Sequence, residues 1–213
     1  MDRIIMPQNY KNVLPYIQLT SGMIEDIIQH QQVSFNPTKN DYVEYQLNLP
    51  TFVRPFYAYV YHHQTIPTQE EYYSHYMQRN RQYFNENTFS NDIMSAIKAR
   101  LFRAMPSFVR DLHFNKYVAE HVSGLTALYS LDLDVNEGID LLLYNEKKIY
   151  GINLYTSTTR AYQGRKNKEH RHKLFSNVQY IEFPVDFKSC QRCGGYFLYG
   201  INEYNNLKKI IEL

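Results

Sequence analysis

Two apolar runs decide the fold of this chain: Gly138-Ile-Asp-Leu-Leu-Leu-Tyr144 and, two residues later, Lys147-Lys-Ile-Tyr-Gly-Ile-Asn-Leu-Tyr155. Their short length, their β-branched and aromatic residues and their polar connection predict two consecutive strands. The first strand carries a lone carboxylate, Asp140. Alternation along the second strand places Gly151, Asn153 and Tyr155 on one face.

The rest of the chain changes character near residue 105. Residues 1–105 predict a mainly helical N-terminal region, with helices over 16–32, from Pro67 onward and over 93–105, and one strand over 52–61. Pro106-Ser107 predicts the end of one helix and the start of another, which runs to Gly124. Residues 106–213 predict an α/β core with strands over 126–133, 139–144, 149–155, 178–183 and 196–201 and helices over 158–172 and 202–213. The predicted fold class is therefore α/β (α+β), a mixed sheet flanked by helices.

Composition excludes several classes of protein. The chain has 213 residues, 44% hydrophobic and 21% charged, which suits a globular protein with a sizeable core. No segment has the roughly 18 to 20 apolar residues that span a bilayer, and the N-terminus lacks a signal-peptide pattern. Two cysteines do not form a disulfide framework. We expect a cytoplasmic protein that does not enter membranes.

Asp140 is the first candidate for chemistry. A carboxylate inside an apolar strand is costly unless a cation, a basic side chain or hydrogen-bond donors lie beside it. The alternative is an exposed aspartate at a strand start. If the two strands are neighbours, Asn153 and Tyr155 share a face with Asp140, and the amide oxygen of Asn153 is an acceptable ligand for a hard metal ion.

A basic segment follows the second strand. It contains six positive charges, offset only by Glu169, in a protein whose formal net charge is +2. Charges of one sign at this density predict phosphate contacts, with a solvated helix face as the alternative. The predicted nucleic-acid-binding residues are Arg160, Arg165, Lys166, Lys168, Arg171 and Lys173.

The arrangement resembles the core of the PD-(D/E)XK nuclease superfamily, the restriction-endonuclease-like fold, over about residues 107 to 183. In that family an acid near the start of one strand is followed, after a turn, by an acidic-x-lysine triplet on the next strand. Gly138-Ile139-Asp140 matches the acid position, and Asn153-Leu154-Tyr155 occupies the triplet. Two departures are present, because Asn153 replaces the second acid and Tyr155 replaces the lysine.

The resemblance implies a Mg²⁺-dependent endonuclease that hydrolyses phosphodiester bonds. It implies Asp140, Asn153 and Lys166 as catalytic residues, with Lys168 or Arg160 as alternatives for the lysine. Asp140 and Glu120 are implied as metal ligands. Asp111 is the alternative to Glu120 on the preceding helix, and Glu137 or Asp134 could restore the carboxylate that Asn153 replaces.

The two departures leave a second class of function open, a non-catalytic nucleic-acid- or protein-binding module on the same fold. The expected partner is nucleic acid, DNA in the first instance. A homodimer is also left open by the sequence.

Cys190-Gln-Arg-Cys193-Gly-Gly195 resembles half of a zinc knuckle. Tetrahedral zinc needs two further ligands, and the chain has no other cysteine. A zinc-stabilised interaction domain is therefore a third reading. We favour free thiols and expect no zinc cofactor.

Overall fold

The computed structural model describes residues 11–35, 39–156 and 177–211. The strands are β1 (Thr126–Leu128), β2 (Leu141–Tyr144), β3 (Ile149–Thr156), β4 (Gln179–Val185), β5 (Gln191–Cys193) and β6 (Tyr196–Leu198). The α-helices are α1 (Ser21–Gln29), α2 (Val53–His63), α3 (Gln69–Arg79), α4 (Arg81–Glu86), α5 (Asn91–His121) and α6 (Ile201–Ile210). Short 3-10 turns cover Leu14–Tyr16 and Phe187–Ser189, and π-helical turns cover Tyr42–Gln46 and Leu133–Glu137. None of the helices among these residues is long and apolar enough to cross a membrane.

The chain divides into two compact units. The sheet unit contains residues 1–21, 111–192 and 197–213, and the helical unit contains residues 22–110 and 193–196. The predicted boundary after residue 105 falls within α5, whose residues belong partly to each unit. The mixed α/β class predicted from the sequence is confirmed at this level.

The sheet unit is built on a four-stranded sheet in the order β1-β2-β3-β4. β1 pairs with β2 and β2 with β3 in antiparallel fashion, whereas β3 and β4 are parallel. Parallel neighbours need a long crossover, and residues 157–178 of the sequence are long enough to provide it. The sheet is therefore mixed, in agreement with the predicted fold class.

One face of the sheet is covered by a buried apolar cluster. Its members come from the strands and from the π-helical turn before β2, and they are Leu128, Leu133, Ile139, Leu142, Ile149 and Val178. Gly151 is required here because a Cβ at this position would lie 2.9 Å from Val178 Cγ1. Val178 and Ile139 cover the β3 backbone at Gly151. The polar part of the predicted face of β3 therefore begins at the next residue on that face, Asn153.

The strand predicted over residues 52–61 is wrong, because Val53–His63 forms α2. Val53, Phe56, Tyr57 and Val60 are buried at helical spacing, so packing overrides the strand preference of aromatic and β-branched residues. The buried tyrosines on α3 donate their phenolic hydroxyls to backbone carbonyls. Tyr72, for example, donates to Phe52 O at 2.9 Å. Burial raises the pKa of Tyr72 well above its usual value.

The predicted break at Pro106 is also wrong, because α5, which is 31 residues long, continues through this proline to His121. Proline has no amide hydrogen to donate to the carbonyl four residues earlier, which is Phe102 O. Gln69 Nε2 donates to that carbonyl at 2.8 Å. A side chain from α3 thus replaces the missing backbone donor and allows the helix to continue.

Other element boundaries differ more modestly. The strand predicted over 126–133 ends at Leu128, since the chain then turns into Leu133–Glu137. The strand predicted to reach Ile201 ends at Leu198, and Ile201 begins α6. The helix predicted over 16–32 begins at Ser21. The helix predicted over 158–172 lies outside the described residues.

Candidate functional site

Asp140 is held against β3 by both its backbone and its side chain. Its amide donates to Ile152 O at 2.9 Å, and its carboxylate Oδ2 accepts the amide of Leu154 at 2.6 Å. A distance this short is typical of a charge-assisted hydrogen bond. The side-chain carboxylate thus accepts the β3 amide that a backbone carbonyl would accept if β2 extended further towards its N-terminus. Its position relative to β3 is fixed.

Asn115 reaches the same residue from α5. Its Nδ2 donates to Asp140 O at 3.1 Å, and the side chain is fully buried. The other polar atom of this amide, Oδ1, is buried without a hydrogen-bond partner among the described residues. A buried acceptor without a donor is costly, so the hydrogen bonding of Asn115 is incomplete among the described residues.

Asn153 lies between Asp140 and Glu182. The β2–β3 register ends at Leu141 and Ile152, and Asn153 lies between Ile152 and Leu154, the two β3 residues whose backbone groups bond to Asp140. On the other side, the parallel register pairs Asn153 with Glu182 and Tyr155 with Pro184. Paired residues on parallel strands present their side chains on one face, so Glu182 shares the face of Asn153. The predicted neighbourhood of the two strands is confirmed.

Glu120 has a different local role. Its Oε1 accepts the amide of Ser21 at 2.9 Å, and its Oε2 accepts the hydroxyl of Ser21 at 2.5 Å. Both carboxylate oxygens are therefore engaged at the first residue of α1. Asp111, the alternative on α5, lies one helical turn before Asn115 and on the same helix face.

The two other predicted carboxylates lie on the π-helical turn that precedes β2. Asp134 Oδ2 accepts the phenolic hydroxyl of Tyr129 at 2.6 Å. Glu137 is 9% exposed and therefore largely removed from solvent. Neither replaces Glu182 as the carboxylate in register with Asn153.

The predicted lysine substitutes cannot be placed. Arg160, Arg165, Lys166, Lys168, Arg171 and Lys173 all lie outside the described residues. Lys116, on α5 beside Asn115, donates to Ile17 O at 2.9 Å, and burial lowers its pKa. Tyr155 lies on β3 directly after Leu154, the residue whose amide donates to Asp140.

Within 11–35, 39–156 and 177–211, no group of three or more histidine, cysteine, aspartate and glutamate side chains is close enough to hold a metal ion. A site built from Asp140, Asn153 and Glu182 contains two carboxylates and one amide.

Cys193 and the glycines that follow it have structural roles in the helical unit. The Cys193 thiol donates to Glu25 O at 3.4 Å, and burial raises its pKa. Gly194 has a φ of 55°, and a Cβ there would lie 2.5 Å from Ile28 O. The glycines are therefore needed for close packing of the β5–β6 turn on α1. The thiol of Cys190 donates instead to Asp186 O at 3.7 Å.

Two residues of the site were not identified from the sequence. Asn115 lies on an amphipathic helix, where an amide side chain is expected at the surface. Nothing in the neighbouring sequence therefore indicated that this asparagine is buried beside Asp140. Glu182 is the only charged residue in β4, and this isolation was a usable signal. Its relation to Asn153 depends on the pairing of β3 with β4, which the sequence pattern does not specify.

Comparison of the chain with protein-family models, with curated proteins and with solved structures gave no significant match. Function is therefore inferred from the residues of the site, since a fold class by itself does not define an activity.

Proposed function

We propose that this protein acts on nucleic acid as a Mg²⁺-dependent endonuclease, with its site at the junction of β2 and β3. The observation that carries the proposal is the position of Asp140, whose carboxylate is fixed at the start of β2 beside Asn153 and Tyr155. The order of an acid before one strand and a polar pair on its neighbour is that of the PD-(D/E)XK nucleases. The six-charge segment follows β3 directly in the sequence.

The donor atoms around Asn153 fit a hard cation. Asp140 and Glu182 supply anionic oxygens and Asn153 supplies a neutral one, which is the ligand type that Mg²⁺ prefers. The Oδ1 of Asn115, which is buried without a hydrogen-bond partner among the described residues, supports a further polar group close to Asp140. When bound, the metal would supply Lewis-acid stabilisation and a water of lowered pKa.

Glu182 is proposed as the second carboxylate in preference to Glu120. Glu120 would have to give up two hydrogen bonds with Ser21 before it could bind a metal. Glu182 is exposed and is in register with Asn153 on the neighbouring strand. The basic segment, with Lys166 first, would supply the positive charge that steadies the phosphate.

The second candidate is a non-catalytic nucleic-acid- or protein-binding module on the same sheet. Asn153 and Tyr155 favour it, because neither residue can supply the charge of the acid or lysine that it replaces. A module of this kind would retain binding through the basic segment without hydrolysis.

Cleavage of a supercoiled plasmid in the presence of Mg²⁺ or Mn²⁺ tests the enzyme. We expect metal-dependent cleavage by the wild type and its loss in Asp140→Asn and Glu182→Gln, because each change removes one anionic oxygen ligand. Nucleic-acid binding should persist or tighten in both variants, since a carboxylate that repels phosphate is neutralised.

Asp41→Asn is the matched control, because Asp41 is exposed and makes no capping hydrogen bond with its side chain. Wild-type binding without cleavage at any divalent metal would favour the non-catalytic module. Wild-type cleavage that survives Asp140→Asn would show that the site has been placed wrongly.

A further inference from the structure

Two phenylalanine rings are exposed side by side on the sheet unit. Phe187 is 39% exposed and Phe197 is 46% exposed. Their centroids are 5.8 Å apart, with the ring planes at 90°. Adjacent exposed aromatic rings offer apolar faces on which the ring of a partner can stack.

The ring of Phe187 is carried by a well-anchored turn. Asp186 Oδ1 accepts the amide of Lys188 at 3.0 Å, and the hydroxyl of Ser189 donates to Glu203 Oε1 at 2.6 Å. Glu203 is 3% exposed and also accepts the amide of Gly200 at 2.8 Å. The exposed ring thus belongs to a turn that is hydrogen-bonded to the buried Glu203 in the first turn of α6.

Phe197 is exposed by the alternation of a strand. Its neighbours on β6, Tyr196 and Leu198, are buried, so Phe197 must point the other way. Neither ring depends on a loose loop for its position. A binding partner would pay little conformational entropy to use them.

The pair lies beyond the same sheet edge as the candidate site. β3 and β4 are parallel, and Thr156, the last residue of β3, is in register with Val185. Phe187 is two residues further along the chain, roughly 7 Å at the rise of a strand. Tyr155 of the site is in register with Pro184, and the basic segment, residues 160–173, begins four residues after Thr156 in the sequence.

Two cations lie close to the rings in the sequence. Residues 183–200 contain Asp186, Lys188 and Arg192; the Asp186 carboxylate accepts the amide of Lys188, and the carboxylate of Glu203, which anchors the turn, is buried. Lys188 and Arg192 are exposed. The two-residue turn at Gly194-Gly195 places Arg192 opposite Phe197 in the β5–β6 hairpin.

We infer that Phe187 and Phe197 form a stacking platform for unpaired bases, with Lys188 and Arg192 contacting the adjacent phosphates. Aromatic rings flanked by cations bind single-stranded nucleic acid because every base has a π-face and every nucleotide carries a phosphate. This inference rests on the proposed function. It deepens that function by assigning an unpaired strand, next to the cleavage site, as part of the substrate.

The absence of tryptophan from the sequence gives a direct test. Phe187→Trp introduces one indole, whose fluorescence can be excited selectively and is quenched when a base stacks on it. We expect quenching on titration of the full-length variant with a single-stranded DNA oligonucleotide. An oligonucleotide of equal length made of abasic sites should give weaker binding and no quenching.

Affinity measurements by fluorescence anisotropy provide the second readout. Phe187→Ala and Phe197→Ala should each weaken binding of the single strand by roughly 5- to 150-fold, the range expected for one stacked base. Binding of blunt duplex should change much less. Phe35→Ala is the matched control, because Phe35 is 71% exposed and belongs to the helical unit.

The outcomes separate the platform from the proposed function. Unchanged single-strand affinity in both alanine variants, with no quenching of the indole, would overturn the platform and leave nucleic-acid binding in place. A wild type that binds no nucleic acid would overturn both. A concentration-dependent dimer that Phe197→Ala dissociates, with nucleic-acid affinity unchanged, would assign the pair to a protein interface and also overturn the platform.

Discussion

The carboxylate of Asp140 accepts the backbone amide of Leu154 at 2.6 Å. The bond joins the residue before β2 to the strand that carries Asn153 and Tyr155. Asp140 therefore has a structural role in addition to its proposed chemical one. The two roles require different properties, since the hydrogen bond needs only an acceptor oxygen whereas a metal ligand needs a negative charge.

Substitution of Asp140 should separate these roles. Asp140→Ala leaves the amide of Leu154 without its acceptor, and we expect the free energy of unfolding to fall by about 1–3 kcal/mol. Asp140→Asn keeps an acceptor oxygen and should cost clearly less. Denaturant unfolding of the two variants gives the comparison. Equal losses would show that charge, rather than the hydrogen bond, stabilises this junction.

Gln69 and Pro106 should be energetically coupled. Gln69 is 5% exposed, and Gln69→Leu removes the donor to Phe102 O together with two hydrogen bonds to Ser34. We expect a loss of at least about 2 kcal/mol in the free energy of unfolding. In a Pro106→Ala background the new amide can donate to Phe102 O, so the loss should be smaller. A double-mutant cycle measures this coupling, and strictly additive effects would contradict it.

The Cys190–Cys193 pair should hold no stoichiometric zinc. Elemental analysis of the purified protein should find far less than one zinc per chain, and Cys193→Ser should have only a mild effect on stability. Gly194→Ala should be more damaging, because its Cβ would collide with the Ile28 carbonyl at a positive φ. Stoichiometric zinc that Cys193→Ser removes, together with a large loss of stability, would establish a zinc-stabilised domain.

The basic segment should account for most of the salt dependence of nucleic-acid binding. Replacing Arg165, Lys166 and Lys168 together should weaken binding across sequences. Each lost phosphate contact lowers the slope of log affinity against log salt by about 0.9 on duplex or about 0.7 on single strands. The matched control replaces the exposed lysines Lys39, Lys147 and Lys209. An equal effect in both triple variants would mean that the segment is only one part of a diffuse positive surface.

His75 should make stability depend on pH. Burial lowers its pKa below the ordinary value of 6.5, and the charges of Arg79, His63 and His62 lower it further. The unfolded chain therefore binds this proton at a higher pH than the folded chain does. The stability that a neutral His75 contributes is present above pH 6.5 and is lost as the pH falls through and below that value. His75→Gln should reduce the pH dependence of the denaturant midpoint of unfolding in this range. An unchanged pH dependence in this variant would contradict the role given to His75.

The sequence by itself determined the class of fold and the local elements of the site. Alternation and β-branched content predicted β2, β3 and β4, and the single carboxylate before an apolar strand singled out Asp140. The predicted helix start at Pro67 agrees with α3, where Thr68 and Glu71 form a capping box. These features depend on residues close together in the chain, where the periodicity of a strand or a helix cap is decided.

Only the tertiary structure decided which distant residues meet. Gln69 lets α5 pass through Pro106, so a reliable local stop signal was overruled by a side chain from another helix. Packing turned the aromatic stretch of α2 from a predicted strand into a helix, since its buried residues recur at helical spacing. The engagement of Glu120 by Ser21 and the register of Asn153 with Glu182 join residues 99 and 29 positions apart. Such pairings are fixed by strand order and helix packing, which no local pattern in the chain encodes.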